Sequence, residues 1–482
     1  MGNHADKEKT MRKTKIICTI GPASREEDML KKLFLAGMNV SRLNFSHGSH
    51  EEHRENIRRI RRVRDELGIP AAILLDTKGP EIRIGNFEEG EAVLADGDEF
   101  TLTAEDVLGN ADMVSVTYSK LPEKLSEGNT VLIDDGKIML KVVGICGKDI
   151  KCNVIHGGRV SDHKGINIPD VQINMPYLSE KDMADLKFGA GEDVDYVAAS
   201  FIRTSEDARL VRDFLNSNGG EAIKLIAKIE SMQGIDNFED ILKVVDGIMV
   251  ARGDMGVEVA YELLPGIQKK LIRRCVQQGK IVITATQMLE SMMTSPVPTR
   301  AEINDVANAV FDGTSAVMLS GESAAGMYPE ESVKAMAKIA EEAEKELQEV
   351  LKSGTVFREM DNHDTTNAVA HAACTLAKYI CADAIIAVTA SGYTGNKVSK
   401  FRPDIPIISA TPNEKVFHQM ALFWGVNPLI VKYCEDVEYM FELCKKRAAE
   451  KKLIKENSRV VLTAGVPVGV SGTTNIIRVL SD

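Results

Sequence analysis

The sequence predicts an α/β chain: a (β/α)8 barrel, a small β-barrel domain inserted after strand 3, and an open α/β domain at the C-terminus. Three observations predict it. Short, continuously apolar runs alternate with amphipathic helical stretches eight times, the pattern of a parallel sheet covered on both faces. The interval between Thr77 and Asp195 exceeds a hundred residues where one helix would suffice. After the charged helical stretch "EEAEKELQEVLKS" (341–353) the alternation restarts.

The barrel strands are expected at "TKIICTI" (14–20), "MNVSRL" (38–43), "AAILLDT" (71–77), "DYVAAS" (195–200), "IKLIAKI" (223–229), "GIMVAR" (247–252), "IVITAT" (281–286) and "SAVMLS" (315–320). The long interval instead carries "EAVLADGDEFTLTA" (91–104), "NTVLIDDGKIMLKVVGIC" (129–146) and "DIKCNVIHGG" (149–158). Alternation broken by Asp-Gly turns indicates antiparallel strands there. The expected division is therefore 1–79 with 174–353 for the barrel, 80–173 for the insert and 354–482 for the C-terminal domain. Without the insert the barrel keeps about 260 residues, close to the ~250 typical of such folds. In the last domain "AIIAVTA" (384–390), "PIISAT" (406–411), "NPLIVK" (427–432), "RVVLTA" (459–464) and "NIIRVL" (475–480) are expected to alternate with helices.

Bulk properties exclude several classes. The formal net charge of −12 argues against a general nucleic-acid or acidic-membrane binder. "RRIRRVR" (58–64) is a local exception, but Ile57, Ile60, Val63 and Leu67 give it one apolar side, so it reads as a solvated helix face. Eight scattered cysteines without a CxxC pair suit reduced thiols in a cytoplasmic protein. No apolar run approaches the ~18 residues of a membrane span. The polar opening "MGNHADKEKT" is expected to be disordered, with Met11 an equally good start.

Barrels of this kind carry their active sites at the C-terminal ends of the strands. Strand 2 ends in Arg42, Asn44 and Ser46, and strand 3 in Asp76 and Thr77 with Arg83 just beyond. Strand 5 supplies Lys228 and Glu230, strand 6 Arg252 and Asp254, strand 7 Thr286 and Gln287, and strand 8 Ser320 and Glu322. Residues two apart on a strand point the same way, so Lys228 and Glu230 aim at one spot. A mutual salt bridge would explain that pair alone, but not so many charged and hydroxyl groups at one rim. Glu230 and Asp254 leave adjacent strands and suit one hard divalent cation. Arg42 and Arg83 offer forked donors for phosphate oxygens, and backbone N–H groups at Gly253 could receive a carboxylate. Metal, lysine and arginines around one anion point to phosphoryl transfer. Asn44, Ser46, Asp76 and Thr77 offer only neutral or carboxylate oxygens, better suited to a second cation.

Seven stretches, in order along nearly the whole chain, resemble pyruvate kinases: "SRLNFSHG" (41–48), "LLDTKGPEIR" (74–83), "AKIE" (227–230), "MVARGDMG" (249–256), "TATQMLESM" (284–292), "PTRAEINDVANAV" (298–310) and "MLSGESAAGMYP" (318–329). The resemblance implies a (β/α)8 TIM barrel and a phosphotransferase that moves phosphate from phosphoenolpyruvate to ADP in the final step of glycolysis. It implies that Lys228 supports the enolate, with Arg42 and Thr286 also catalytic. Phosphoenolpyruvate would touch Arg42, Lys228, Gly253, Asp254 and Thr286. Glu230 and Asp254 would hold Mg2+ (or Mn2+), and Asn44, Ser46, Asp76 and Thr77 would hold K+. Asn44, His47, Arg83 and Lys164 would serve the nucleotide, with the insert as a lid. Glu81 in this family goes with potassium dependence, whereas lysine there replaces the ion. A homotetramer is also implied. Met232 and Ile84 depart from the family pattern near the site without removing an essential group. A lyase or aldolase on a similar barrel would keep the Glu/Asp pair but would not need Arg83, Lys164 and a lid.

In the C-terminal domain "TASGYTGNK" (389–397) leaves a strand as a glycine-containing turn opening a helix. N–H groups and hydroxyls of Thr389, Ser391 and Thr394, around Gly392, could cradle a phosphate; two ordinary strand-to-helix turns are the plainer alternative. "TAGVPVGVSGTTN" (463–475) offers a facing loop. The resemblance implies a phosphorylated effector here. Ala390 and Tyr393 stand where some sugar-bisphosphate-activated relatives carry basic residues, which favours a monophosphate or weak activation.

Overall fold

A computed structural model describes residues 12–169, 171, 175–352, 364–467 and 472–481. The opening decapeptide and Met11 lie outside the described residues, as do positions 468–471 of the second C-terminal loop. The barrel strands are β1 (Lys15–Thr19), β2 (Val40–Asn44), β3 (Ala72–Asp76), β4 (Tyr196–Ala199), β5 (Lys224–Ile229), β6 (Gly247–Ala251), β7 (Ile281–Ala285) and β8 (Ala316–Leu319). They close in sequence order, β8 pairing with β1, and every pairing is parallel. Each strand reads as a short apolar run because both faces are covered, one by the helices and one by the lumen. Helices 50–67, 180–191, 205–216 and 300–312 begin at capping boxes set by Ser49/Glu52, Ser179/Asp182, Thr204/Asp207 and Thr299/Glu302.

Pleating decides what faces inward. On β5, Leu225, Ala227 and Ile229 join the core beneath the helices, whereas Ile226 joins the lumen. Lys228 and Glu230 continue the Ile226 row and so emerge at the mouth. The same two-residue step carries Val40 to Arg42, Leu74 to Asp76 and Ala198 to Ser200.

The insert forms a seven-stranded sheet from Ile82–Arg83 at one edge to Met113–Ser115 at the other. A bridge between Ile84 and Val116 brings these two edges together, and Gly85 N–H donates to the Ser115 carbonyl at 2.8 Å. The sheet thereby curls into the expected small barrel around its own apolar cluster. One of its pairings, Glu99–Thr103 with Met113–Ser115, is parallel.

The C-terminal domain carries β9 (Ala384–Val388), β10 (Ile407–Thr411), β11 (Val426–Ile430), β12 (Val460–Gly465) and β13 (Thr474–Leu480), in spatial order 11-10-9-12-13. The expected alternation with helices fails at the end. β13 returns antiparallel to β12, because the short connection after Gly465 cannot hold a parallel crossover of a dozen or more residues. The lumen's apolar residues, including Ile17, Tyr196 and Met249, run on without interruption into Val416, Met420 and Phe423 of this domain.

Candidate active site

At the mouth, four charged side chains from three strands meet. Asp76 is the hub. Its Oδ2 accepts from Arg42 Nε at 2.6 Å, and its Oδ1 lies 3.2 Å from Lys228 Nζ. Lys228 Nζ also reaches Glu230 Oε1 at 3.0 Å and donates to Ser200 Oγ at 2.7 Å. Ser200 closes the circuit, its one hydroxyl proton going to the Thr77 carbonyl at 2.7 Å while its Oγ lies 3.3 Å from Asp76 Oδ1. Arg42, Asp76 and Glu230 are all buried, and removing such charges from water is tolerable only because each meets an opposite one.

Burial works to lower the Lys228 ammonium, but Asp76 and Glu230 outweigh it and hold its pKa above the ordinary lysine range. Burial would likewise raise Asp76; Arg42 and Lys228 hold it below the usual carboxylate range. Glu230 behaves differently. Burial pushes its carboxyl up to about 8 against the opposing pull of Lys228, with Asp254 adding repulsion. Its Oε2 accepts from Phe201 N–H at 2.5 Å. Its Oε1, although near Lys228, has no partner in hydrogen-bonding geometry. A buried carboxylate oxygen left in this state, with a second carboxylate, Asp254, in the helix that follows the neighbouring strand, fits a hard divalent cation. Among the described residues no group of three or more His, Cys, Asp or Glu forms a metal cage, so substrate or water would complete any coordination sphere.

The loop ends are strained. Thr286 has φ of +68°, Gln287 +54° and Phe201 +53°. Left-handed backbone is costly for a β-branched residue such as Thr286 and is found where surrounding structure over-determines it. Here Arg252 pins the turn, donating to the Thr286 carbonyl at 2.6 Å and to Asp305 at 2.6 Å. The Gly253 N–H expected to be open for a carboxylate instead donates to Thr286 Oγ1 at 2.8 Å. The rim residue Glu322 is turned inward, accepting from Leu289 and Ser320 N–H groups at 3.0 and 2.8 Å.

The second-cation set is brought together but already provided with donors. Asn44 and Asp76 are register partners on β2 and β3. Asn44 Oδ1 accepts from Ser46 N–H at 3.1 Å, and Thr77 Oγ1 from Ser200 N–H at 3.1 Å. The nucleotide candidates are not gathered with these. Arg83 pairs with Glu81 at 2.6 Å and donates to the His163 carbonyl; Lys164 pairs with Asp134 at 2.8 Å within the insert. His47 is exposed on the loop after β2, its carbonyl held by His53 Nε2 at 2.9 Å. The insert touches the helix carrying Asp254 (Arg252–Glu258) through Asn167, which donates to Glu258 at 3.0 Å.

In the C-terminal domain Thr389, Ser391, Thr394, Lys432, Gly465 and Thr474 line one narrow cavity of about 40 Å3. Gly392 supplies the left-handed turn (φ +84°) that starts helix Tyr393–Lys400. Two of the expected donors are committed: Thr389 N–H donates to Ala410, and the Thr394 and Thr474 hydroxyls meet at 2.9 Å. Lys432, not singled out from sequence, adds the one cationic side chain among the described residues of that lining.

Sequence reasoning also missed Ser200 and the Phe201 N–H. A lone serine after an apolar strand belongs to no motif. The two-residue step Tyr196, Ala198, Ser200 was nevertheless a usable signal.

Comparison with known proteins gives one answer. The family model "Pyruvate kinase, barrel domain" matches residues 11–333, and "Pyruvate kinase, alpha/beta domain" matches 367–480. A pyruvate kinase from Clostridium acetobutylicum is 47% identical over 470 residues, covering 97% of this chain and 99% of the relative. One from Clostridium perfringens is 46% identical over 471 residues, covering 97% and 99%. One from Sporosarcina psychrophila is 45% identical, with 97% of this chain aligned to 80% of that protein.

Proposed function

The chain belongs to the pyruvate kinase family, a phosphotransferase that makes pyruvate and ATP from phosphoenolpyruvate and ADP, and we propose how its own residues divide that work. The observation that carries the assignment of roles is the unpartnered Glu230 oxygen beside a lysine held in its charged form. Glu230 and Asp254 would hold Mg2+ or Mn2+, which when bound neutralises charge on the transferring group. Arg42 and Lys228 grip the phosphate and enol oxygens of phosphoenolpyruvate. The Gly253 and Asp254 backbone, with Thr286, receives its carboxylate, the Gly253 N–H exchanging the Thr286 hydroxyl for substrate.

An ADP oxygen attacks phosphorus and the bond to the enol oxygen breaks, leaving its electron pair on that oxygen. The Lys228 ammonium, fixed by Ser200 and Asp76, meets that charge without reorganising. The enolate then takes a proton at its methylene carbon to become pyruvate.

Asn44, Ser46, Asp76 and Thr77 are assigned to K+, with Glu81 leaving the site one positive charge short without it. Asn44, His47, Arg83 and Lys164 are assigned to the nucleotide, the insert acting as a lid. Closure would trade the Arg83–Glu81 and Lys164–Asp134 pairs for phosphate. Both cations are about a third exposed, so those pairs cost little to give up. The C-terminal cavity is assigned to a phosphorylated monophosphate effector whose entry parts Thr394 from Thr474. A cytoplasmic homotetramer completes the reading; no helix among the described residues is long and apolar enough to cross a membrane.

The test is pyruvate formation by the purified chain. Activity is expected to vanish without a divalent cation and to collapse when potassium is replaced by tetramethylammonium, and Glu81→Lys should restore it in potassium-free buffer. Undiminished wild-type activity without potassium would remove the second-cation assignment. For the effector, Ser391→Asp should abolish any loss of sigmoidality caused by phosphorylated metabolites while sparing basal turnover; a normal response places the site elsewhere.

A further inference from the structure

A cavity of about 650 Å3 opens between the insert and the barrel, within the size range of small-molecule sites. None of Arg42, Asp76, Lys228, Glu230, Asp254 or Thr286 lines it. From the insert, Lys120 and Lys124 flank the short helix Leu121–Glu123 and line the cavity together with Ser119. From the barrel come Arg203, Thr204 and Gln233.

The charges do not cancel. Two carboxylates line the cavity, Glu123 and Asp207. Asp207 is committed: its Oδ2 accepts from the Arg203 and Thr204 N–H groups at 3.1 and 3.2 Å and from Arg203 Nε at 3.3 Å. Lys120 and Lys124 form no ion pair among the described residues, leaving Glu123 as the one uncommitted acid beside them. The remaining polar walls, Tyr118, Ser119, Thr204 and Gln233, are neutral hydrogen-bonding groups, and Met175 and Pro176 are the apolar ones. We propose that this cavity binds a small hydroxylated phosphate monoester, its dianion between Lys120 and Lys124 and its hydroxyls on the neutral walls, while Arg203, already donating to Asp207 and to the Met175 carbonyl at 3.1 Å, forms the barrel-side wall.

Such an occupant would bridge two bodies, fixing the insert against the barrel. It would also touch the catalytic mouth at second hand. Arg203 and Gln233 follow Ser200 and Glu230 by three positions each. The Arg203 guanidinium lies 5.9 Å from the Tyr177 ring, and the Tyr177 hydroxyl donates to the Ser200 carbonyl at 2.7 Å. Ser200 in turn receives Lys228. Occupancy therefore bears on lid angle and on the seat of Lys228, independently of the C-terminal cavity.

The experiment uses the full-length Ser391→Asp chain, to silence the C-terminal cavity, and glucose 6-phosphate as the probe, without divalent cation. Saturable broadening of the probe's phosphorus resonance is expected. Adding Lys120→Glu and Lys124→Glu should weaken it by roughly tenfold or more, as expected from reversing two charges beside a dianion. Both lysines are exposed, so turnover without the probe should stay within about twofold of the parent, reporting that the variant folds. In the active parent the probe should also shift the KM for ADP, and the double charge reversal should erase that shift. Absence of saturable binding to the Ser391→Asp chain, or equal binding after charge reversal, would overturn the site.

Discussion

Two cation-bearing regions of this molecule hold their charges in opposite ways. At the mouth, Arg42 and Lys228 face carboxylates. At the junction between the barrel floor and the C-terminal domain, Lys15 donates to the Val426 carbonyl at 2.7 Å, Lys13 to the Asp404 carbonyl at 2.8 Å and Arg402 to the Gly313 carbonyl at 2.8 Å. Arg402 and Lys13 also lie 4.3 and 5.5 Å from the ring of Trp424. Glu344 is the acid here, and its carboxylate is spent on the Lys13 and Thr14 N–H groups at 2.9 and 2.6 Å. Carbonyls held in a sheet or turn cannot be handed to a ligand. Carboxylates can, since a metal or substrate phosphate replaces one partner with another. The partner type, more than the burial, separates a region built to react from one built to hold.

The sharpest break in that contrast is Lys228→Met. It should cut turnover by roughly 10²–10³ or more, the size of losing a preorganised electrostatic group, while the chain still folds, with a lowered unfolding temperature because Asp76 and Glu230 lose a buried partner. A folded variant within tenfold of wild type would reduce the mouth to a structural ion pair, no different in kind from the junction.

Glu344→Ala is the counterpart at the junction. It strands the Lys13 and Thr14 backbone donors just before the first strand and should cost about 1–3 kcal/mol of stability. Per-site catalytic constants should be little changed. Trp424 is the only tryptophan in the chain, so its fluorescence reports the junction directly. A variant that keeps stability but loses turnover would mean the junction participates in chemistry.

The smallest effect concerns Lys15. Burial pushes its ammonium down to about 7, with Arg12 adding repulsion and Glu344 opposing. A base whose folded pKa is depressed binds fewer protons when folded, so stability rises with pH above that value toward the unfolded pKa. Between pH 7 and 9 wild type should therefore gain on Lys15→Met by on the order of 1–2 kcal/mol. A gap that stays flat with pH would show that the Val426 carbonyl keeps Lys15 charged throughout.

The sequence made the mouth legible for a physical reason. Continuous apolar runs locate parallel strands, and the two-residue step puts Lys228, Glu230, Arg42 and Asp76 on the lumen side. What escaped has equally physical reasons. Ser200 carries no motif. The left-handed turn at Thr286 uses a residue that backbone preference disfavours there, so only the finished structure, with Arg252 pinning it, makes it visible. The reversal of β13 was hidden by expecting every strand to follow a helix, although the short span after Gly465 argued otherwise. The Thr394–Thr474 contact joins residues eighty positions apart, and no local pattern encodes it.

The apolar filling of the barrel lumen that continues into Val416, Met420 and Phe423 sets a limit on modularity. The insert has a core of its own and hangs from the barrel by two connections, so replacing it should leave the packing of the barrel core intact. The C-terminal domain cannot be exchanged so freely. Cutting the chain after the barrel would wet the floor of the lumen, and a graft from another relative must bring side chains that interlock with Tyr196 and Ile281. A change of side-chain volume on one side of that seam therefore needs a matching change on the other to keep it packed.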